Sequence, residues 1–240
     1  MDRGKHPIKI DTPQHTTPSP DFVDIYNRLF SAFGAQHWWP AESRFEMIVG
    51  AILTQNTAWK NVEKAIASLK SNAVLTPLAL RDIRQSELAL LIRSSGFFNM
   101  KALRLKAFIG FLFDEYDGSL DKMFSESADR LREKLLAIKG LGPETVDSIL
   151  LYAGHHPYFV VDAYTRRIFS RHHLIDPKSA YQTIQHFFME RLPADVKLYN
   201  EYHALIVKLA KQFCKKEPEC LSCPLNYLFE AQRKPTVISR

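Results

Sequence analysis

Leu135-Leu-Ala-Ile-Lys-Gly-Leu-Gly-Pro-Glu-Thr-Val-Asp-Ser-Ile-Leu150 packs two helices and a turn into sixteen residues. The first helix ends at Ile138. Gly140 and Gly142 bracket Leu141, and Pro143 opens the next helix at its first position, where a missing N–H is harmless. Two glycines around one aliphatic residue let the backbone turn tightly and approach a partner without a Cβ in the way. The N–H groups at the new helix start face outward, where the dipole favours an anion. Leu141 is expected between the two helices, holding the turn. The run Lys139, Gly140, Leu141, Gly142 therefore reads as a grip on a phosphate backbone that reads no base. An ordinary glycine turn between packed helices is the other reading. Apolar residues at Leu135, Ile138, Leu141, Val146 and Ile149 complete the pattern and favour the grip.

Helical spacing continues in both directions. Phe22, Tyr26, Leu29, Phe30 and Phe33 share one face, with Asp21 as N-cap and Gly34 as stop. Further helices are expected over 44–53, 57–69, 86–92, 100–116, 127–138, 143–153, 163–172, 180–192 and 194–213. The best strand-like run, 158–161, is too short to found a sheet. The fold class is all-α, about ten helices with short loops. Residues 1–20, with four prolines and no periodicity, read as a mobile tail. Residues 44–154 form a lobe ending in the hairpin. Residues 21–43 and 155–240 form a second lobe with a Cys-rich end.

Composition bounds the function. The chain has 240 residues, a formal net charge of +6 and 46% hydrophobic residues. That composition suits a folded chain and excludes disorder as its main state. No run approaches the roughly 20 apolar residues of a membrane span. The N-terminal stretch lacks the apolar core of a secretory signal. All three cysteines, Cys214, Cys220 and Cys223, lie in one short segment. They read as a metal or cluster site, or its remnant, in a reducing compartment. The positive balance makes a polyanion a plausible partner.

Several segments then fall into one pattern: Leu53-Thr-Gln-Asn-Thr57, Gly96-Phe-Phe-Asn-Met-Lys101, the hairpin, Val160-Val-Asp162 and the cysteine tail. Over residues 21–225 the chain resembles the helix-hairpin-helix DNA glycosylase superfamily, founded on endonuclease III. It is most similar to the 3-methyladenine DNA glycosylase branch, which has a like Trp-Trp-Pro element and a like Leu-Thr-Gln-Asn-Thr segment followed by an aromatic.

The resemblance implies a two-lobed fold with a DNA-binding cleft, damaged double-stranded DNA as partner, no membrane, a monomer and a cytoplasmic place, at the nucleoid in a bacterium. It makes Asp162 the catalytic carboxylate, one that stabilises an oxocarbenium ion and orients water. Capping of the helix at Ala163 is the alternative use of Asp162, and the two are compatible. In the endonuclease III type, a lysine two residues after the second hairpin glycine forms a Schiff base with the sugar. Here Glu144 holds that position, and a carboxylate cannot form an imine. This points to a monofunctional enzyme that hydrolyses the N-glycosidic bond with water, strand cutting not expected. Glu144 also suits a plain first-turn acid.

Trp38, Trp39 and Trp59 are candidates for the pocket of a flipped base, with Glu144 adding negative potential at its edge, and indoles suit a cationic alkylated purine such as 3-methyladenine. For any one of them taken singly the core is the favoured reading, and Trp59 is the strongest pocket candidate. Trp59 follows Gln55 by four residues, one turn if a single helix runs through both. By resemblance, Gln55 enters the gap the base leaves and Phe97 is the wedge on the opposite strand. Phe97 is expected outside and Phe98 inside. Lys101, Lys139, Arg166 and Arg167 are candidate phosphate contacts or solvated surface charges.

Superfamily members often bind a [4Fe–4S] cluster through Cys-x6-Cys-x2-Cys-x5-Cys. This chain has Cys214-x5-Cys220-x2-Cys223, with Phe229 where the fourth thiolate would fall. The ligand count fails for a cubane, so a loop that packs without metal is the favoured reading. The chemistry itself needs no cofactor. Other functions left open are a glycosylase for oxidised or mismatched pyrimidines and a DNA-binding module without catalysis.

Overall fold

The computed structural model describes residues 20–39 and 41–233, with side chains as far as 229. The expected mobile tail, Pro20 aside, and Pro40 of the Trp-Trp-Pro element lie outside the described residues. Within them the protein is all helical: α1 (Phe22–Phe33), α2 (Arg44–Leu53), α3 (Trp59–Ser71), α4 (Pro77–Asp82), α5 (Gln85–Leu91), α6 (Phe98–Tyr116), α7 (Leu120–Phe124), α8 (Ala128–Ala137) and α9 (Pro143–Ser148). A 3-10 turn, Arg93–Ser95, precedes α6, and a π turn, Ile149–Ala153, prolongs α9. Then come α10 (Ala163–Arg171), α11 (Tyr181–Met189), α12 (Val196–Gln212) and α13 (Asn226–Arg233).

Side-chain caps set many of the starts. Asp21 accepts from the Val23 N–H at 2.8 Å, Ser43 from Glu46 at 3.2 Å and Asp195 from Leu198 at 2.7 Å. Gly34 ends α1 with φ 67°, the left-handed conformation glycine adopts freely. Three helices escape the periodicity. Those are α4, α7 and α13, of 6, 5 and 8 residues, too short to display a helical stripe.

The buried side chains form two cores. One joins α2 through α9, with Ile48, Ile52, Leu105, Leu112, Leu135 and Val146 at its centre. The other joins α1 to α10, α11 and α12 and is rich in stacked rings, including Phe22, Phe159, Phe169 and Phe188. Each such fully buried side chain contributes about 1.5–3 kcal/mol relative to exposure. Trp39 and Met47 pack against both cores. The π turn also serves both: Ile149, Leu150 and Ala153 enter the first, Leu151 and Tyr152 the second.

The apolar run 158–161 is extended but unpaired with any strand. Its backbone is satisfied by α11 side chains instead. Gln185 Nε2 donates to the Phe159 carbonyl at 2.8 Å, and the Val161 N–H donates to the Tyr181 hydroxyl at 3.3 Å. That segment delivers Asp162 to the start of α10.

Candidate active site

The hairpin forms as its residues dictate. The Leu141 N–H donates to Ile138 O at 3.1 Å, and Leu141 is 5% exposed beneath the turn. Lys139, Gly140 and Gly142 are exposed around it. The two glycines have different reasons. Gly140 has φ 95°, and a Cβ there would lie 2.8 Å from Arg104 Cγ. Gly142 has an ordinary φ of −89°, and a Cβ there would meet nothing within 4 Å. Its bareness matters only toward something arriving from outside. Beyond it, the first N–H groups of α9 have no carbonyl inside the helix to reach.

Asp162 N-caps α10, so the capping use is real. Its Oδ1 accepts from the Thr165 N–H at 2.7 Å and the Thr165 hydroxyl at 2.9 Å. Its Oδ2 lies 3.4 Å from His203 Nε2 on α12. His203 Nδ1 is hydrogen-bonded to the Tyr152 hydroxyl from the π turn. Asp162, Tyr152 and His203 are all buried. Burial raises the Asp162 carboxyl, but His203 and the two Thr165 donors outweigh it and hold the group below its ordinary value.

Glu144 stands in the first turn of α9, open to solvent. Crowding by the protein raises its pKa, and Asp162 raises it further. Glu144 is thus a first-turn acid whose charge interacts with that of Asp162.

The three tryptophans come together. Trp39 meets Trp59 edge-on at 5.1 Å and Trp38 at 6.3 Å between centroids. Trp39 also lies 4.9 Å from the Tyr152 ring, and Trp38 lies 6.4 Å from the His203 ring. All three are half-buried. A cavity of about 200 Å³ opens beside Trp39 and Trp59, lined further by Gly50, Glu46, Glu63 and Lys70. The helical link from Gln55 to Trp59 is a correction: α2 ends at Leu53, a turn follows, and α3 begins only at Trp59. The chain turns back between them, so no single helix carries both.

Gln55 reaches the hairpin itself. Its Nε2 donates to Thr145 Oγ1 at 2.8 Å and Gly140 O at 3.3 Å, and Arg104 donates to its Oε1. Phe97 is 72% exposed and Phe98 is packed on the first core, as expected.

Lys101 is a clear correction. It is 0% exposed and cannot touch a phosphate at the surface. Its Nζ donates to Leu53 O at 2.8 Å, Thr57 Oγ1 at 2.9 Å and Ser95 O at 2.6 Å. Burial, with Arg104 nearby, lowers its pKa to about 8. Arg166 and Arg167 are half-buried, donating to Ser179 O at 2.8 Å and Ala210 O at 3.3 Å. Lys139 alone of the four candidate cations is exposed at the hairpin.

Sequence reading missed Tyr152 and His203. A lone histidine among the buried Tyr199, Tyr202 and Ile206 of α12 was the one available signal.

The three cysteines are one thiolate short of the four that a cubane cluster takes. Arg171 donates to Cys214 Sγ at 3.2 Å, and burial raises the Cys223 thiol. Phe229, at the place of the fourth thiolate, packs on the His172 ring at 4.6 Å. Among the described residues, no three His, Cys, Asp or Glu side chains converge to hold a metal.

An all-α fold that carries a glycine hairpin and, at the start of α10, a buried carboxylate used as a helix cap is the arrangement of a helix-hairpin-helix DNA-repair protein. Residues 49–194 match the model of the HhH-GPD superfamily base excision DNA repair proteins, and the chain belongs to that family. It is a DNA glycosylase of base excision repair. A Methanocaldococcus jannaschii protein named as a DNA repair glycosylase is 48% identical over 204 residues, 84% of this chain and 92% of the relative. The solved structure of Helicobacter pylori 3-methyladenine DNA glycosylase bound to 1,N6-ethenoadenine superimposes with TM-score 0.72 at 31% identity, over 80% of this chain and 98% of that one. A non-covalent endonuclease III–DNA complex superimposes with TM-score 0.74 at 22% identity, over 88% and 97% of the two chains, and shares the fold. No helix of the described residues is long and apolar enough to cross a membrane.

Proposed function

We propose that this glycosylase removes an alkylated, cationic purine of the 3-methyladenine kind from double-stranded DNA, as a monomer, with water as nucleophile and without cutting the strand. The observation that carries the reading is Glu144, in the first turn of α9, at the position where a lyase has its amine. The likeness to the H. pylori enzyme supports the same substrate class.

In this reading Lys139, Gly140 and Gly142 hold the backbone while Leu141 anchors the turn from below. Phe97 and Gln55 fill the space the base vacates. Trp38, Trp39 and Trp59 receive the flipped base, their electron-rich faces toward its positive charge. The C1′–N bond breaks with its electron pair going to the base, which leaves neutral. Asp162 stabilises the oxocarbenium ion left behind. Water adds to C1′, and its extra proton passes to the carboxylate. No metal or cofactor enters any step. We propose that the cysteine loop is purely structural, and that the two cores act as the two lobes that close on DNA.

The test is free-base release from a panel of damaged duplexes. Release of 3-methyladenine is expected. Asp162→Asn should slow it about 100-fold or more. Borohydride added during turnover should trap no protein–DNA adduct. A trapped adduct, or release of oxidised pyrimidines alone, would overturn the reading.

A further inference from the structure

The two oxygens of Asp162 are held unequally. Oδ1 takes two donors from Thr165, the normal load of a helix cap. Oδ2 has His203 Nε2 at 3.4 Å, close enough for a charge pair but longer than a formed N–H···O bond. Nε2 is buried and has no hydrogen-bond partner of its own. A buried nitrogen without a partner is costly, and one 3.4 Å from a carboxylate oxygen calls for an explanation.

The other end of the imidazole is fixed. Tyr152 is hydrogen-bonded to Nδ1, and the two rings stack at 6.0 Å and 29°. Burial, with Asp162 adding, raises the Tyr152 phenol well above its ordinary value. A phenol that keeps its proton donates it to Nδ1, which leaves the ring proton on Nε2, facing Asp162. Trp38 lies against the imidazole and Trp39 against the phenol, so the base pocket and this pair share one wall.

We propose that His203, held by Tyr152, is the positioning residue of the glycosylase reaction. Its Nε2–H directs Asp162 Oδ2 and, by doing so, keeps that oxygen ionised and open to receive the proton of the attacking water. The inference rests on Asp162 being the catalytic carboxylate. The charged and titratable groups facing Asp162 are Glu144 from α9, Tyr152 from the π turn and His203 from α12, while Arg166 of α10 acts on Glu144. Of these only His203 draws the carboxyl pKa down.

The experiment compares wild type with His203→Ala, His203→Gln and Tyr152→Phe. Two quantities are read: the Asp162 titration by carboxylate carbon NMR, assigned with Asp162→Asn, and the pH dependence of single-turnover 3-methyladenine release. With His203 gone, burial dominates, so the Asp162 pKa rises and the acid limb of the rate moves to higher pH. His203→Ala should also slow release near neutral pH by about 10-fold or more, with DNA affinity unchanged. His203→Gln, which keeps an N–H at the same end, should recover most of both. An unmoved titration and acid limb in His203→Ala would overturn the proposal. If that variant does not fold, Tyr152→Phe must move the titration in the same direction, and an unmoved one overturns it. Should wild type release no alkylated purine, the substrate reading fails, but the NMR titration still decides the role of His203.

Discussion

Gly140 and Gly142 look alike in the sequence and differ in the structure. Gly140 needs a left-handed backbone and has Arg104 pressed against it. Gly142 needs neither, and the space where its Cβ would stand is empty. Gly140→Ala should therefore destabilise the protein by about 1–2 kcal/mol from backbone strain alone, read as a lower urea midpoint. Gly142→Ala should leave the midpoint within about 0.5 kcal/mol, yet weaken binding to duplex DNA. Equal effects on stability at the two positions would refute the distinction. The same scale explains why Lys101 misled. A lysine at the start of a helix is normally solvated, and nothing local announces that three oxygens from two other segments converge on this one.

At the scale of elements, Lys101 couples the turn after α2 to the turn before α6. It binds Leu53 O, Thr57 Oγ1 and Ser95 O, and the Thr57 hydroxyl is itself hydrogen-bonded to Ser95 O. Gln55 stands on the first of these turns and Phe97 follows the second. Lys101→Met leaves the acceptors without their ammonium donor and should cost about 2–4 kcal/mol in urea unfolding. It should also weaken duplex binding although Lys101 never meets DNA. Unchanged binding in the folded variant would show that the turns hold themselves. Long elements were legible because their apolar residues repeat over several turns, as in α1 and α12, and because Asp21 and Asp162 sit at caps. The short α4, α7 and α13 were not, for want of turns in which a stripe can show.

At the scale of the molecule, one polar network ties the two cores. Arg132 on α8 grips Asp147 on α9 through two bonds of 2.6 and 3.1 Å, and Gln185 on α11 donates to the same carboxylate at 2.7 Å. Asp147 is 0% exposed. Asp147→Ala strands a mostly buried guanidinium and should cost about 3–5 kcal/mol, seen as a lowered melting temperature. A loss below about 1 kcal/mol would mean the pair contributes packing alone. None of this was legible, since the partners are far apart in the chain and each looks like surface charge. The hairpin and Asp162 were legible because short-range geometry makes each of them. His203 was not, because its meaning depends on α12 bringing it to Asp162 and Tyr152, which lie far from it in the chain.

Tyr152 and Ala153 are neighbours in the chain, yet their side chains go to different cores. An α-helix would separate consecutive residues by a fixed 100°, and the wider π winding resets that angle. Removing or adding one residue within Ile149–Ala153 would thus re-index both halves of the protein in a single step, moving the phenol off the imidazole while shifting the aliphatic side chains beside it. Length changes belong to the surface connections of this fold. Here, in a segment that serves both cores, the residue count is itself part of the machine.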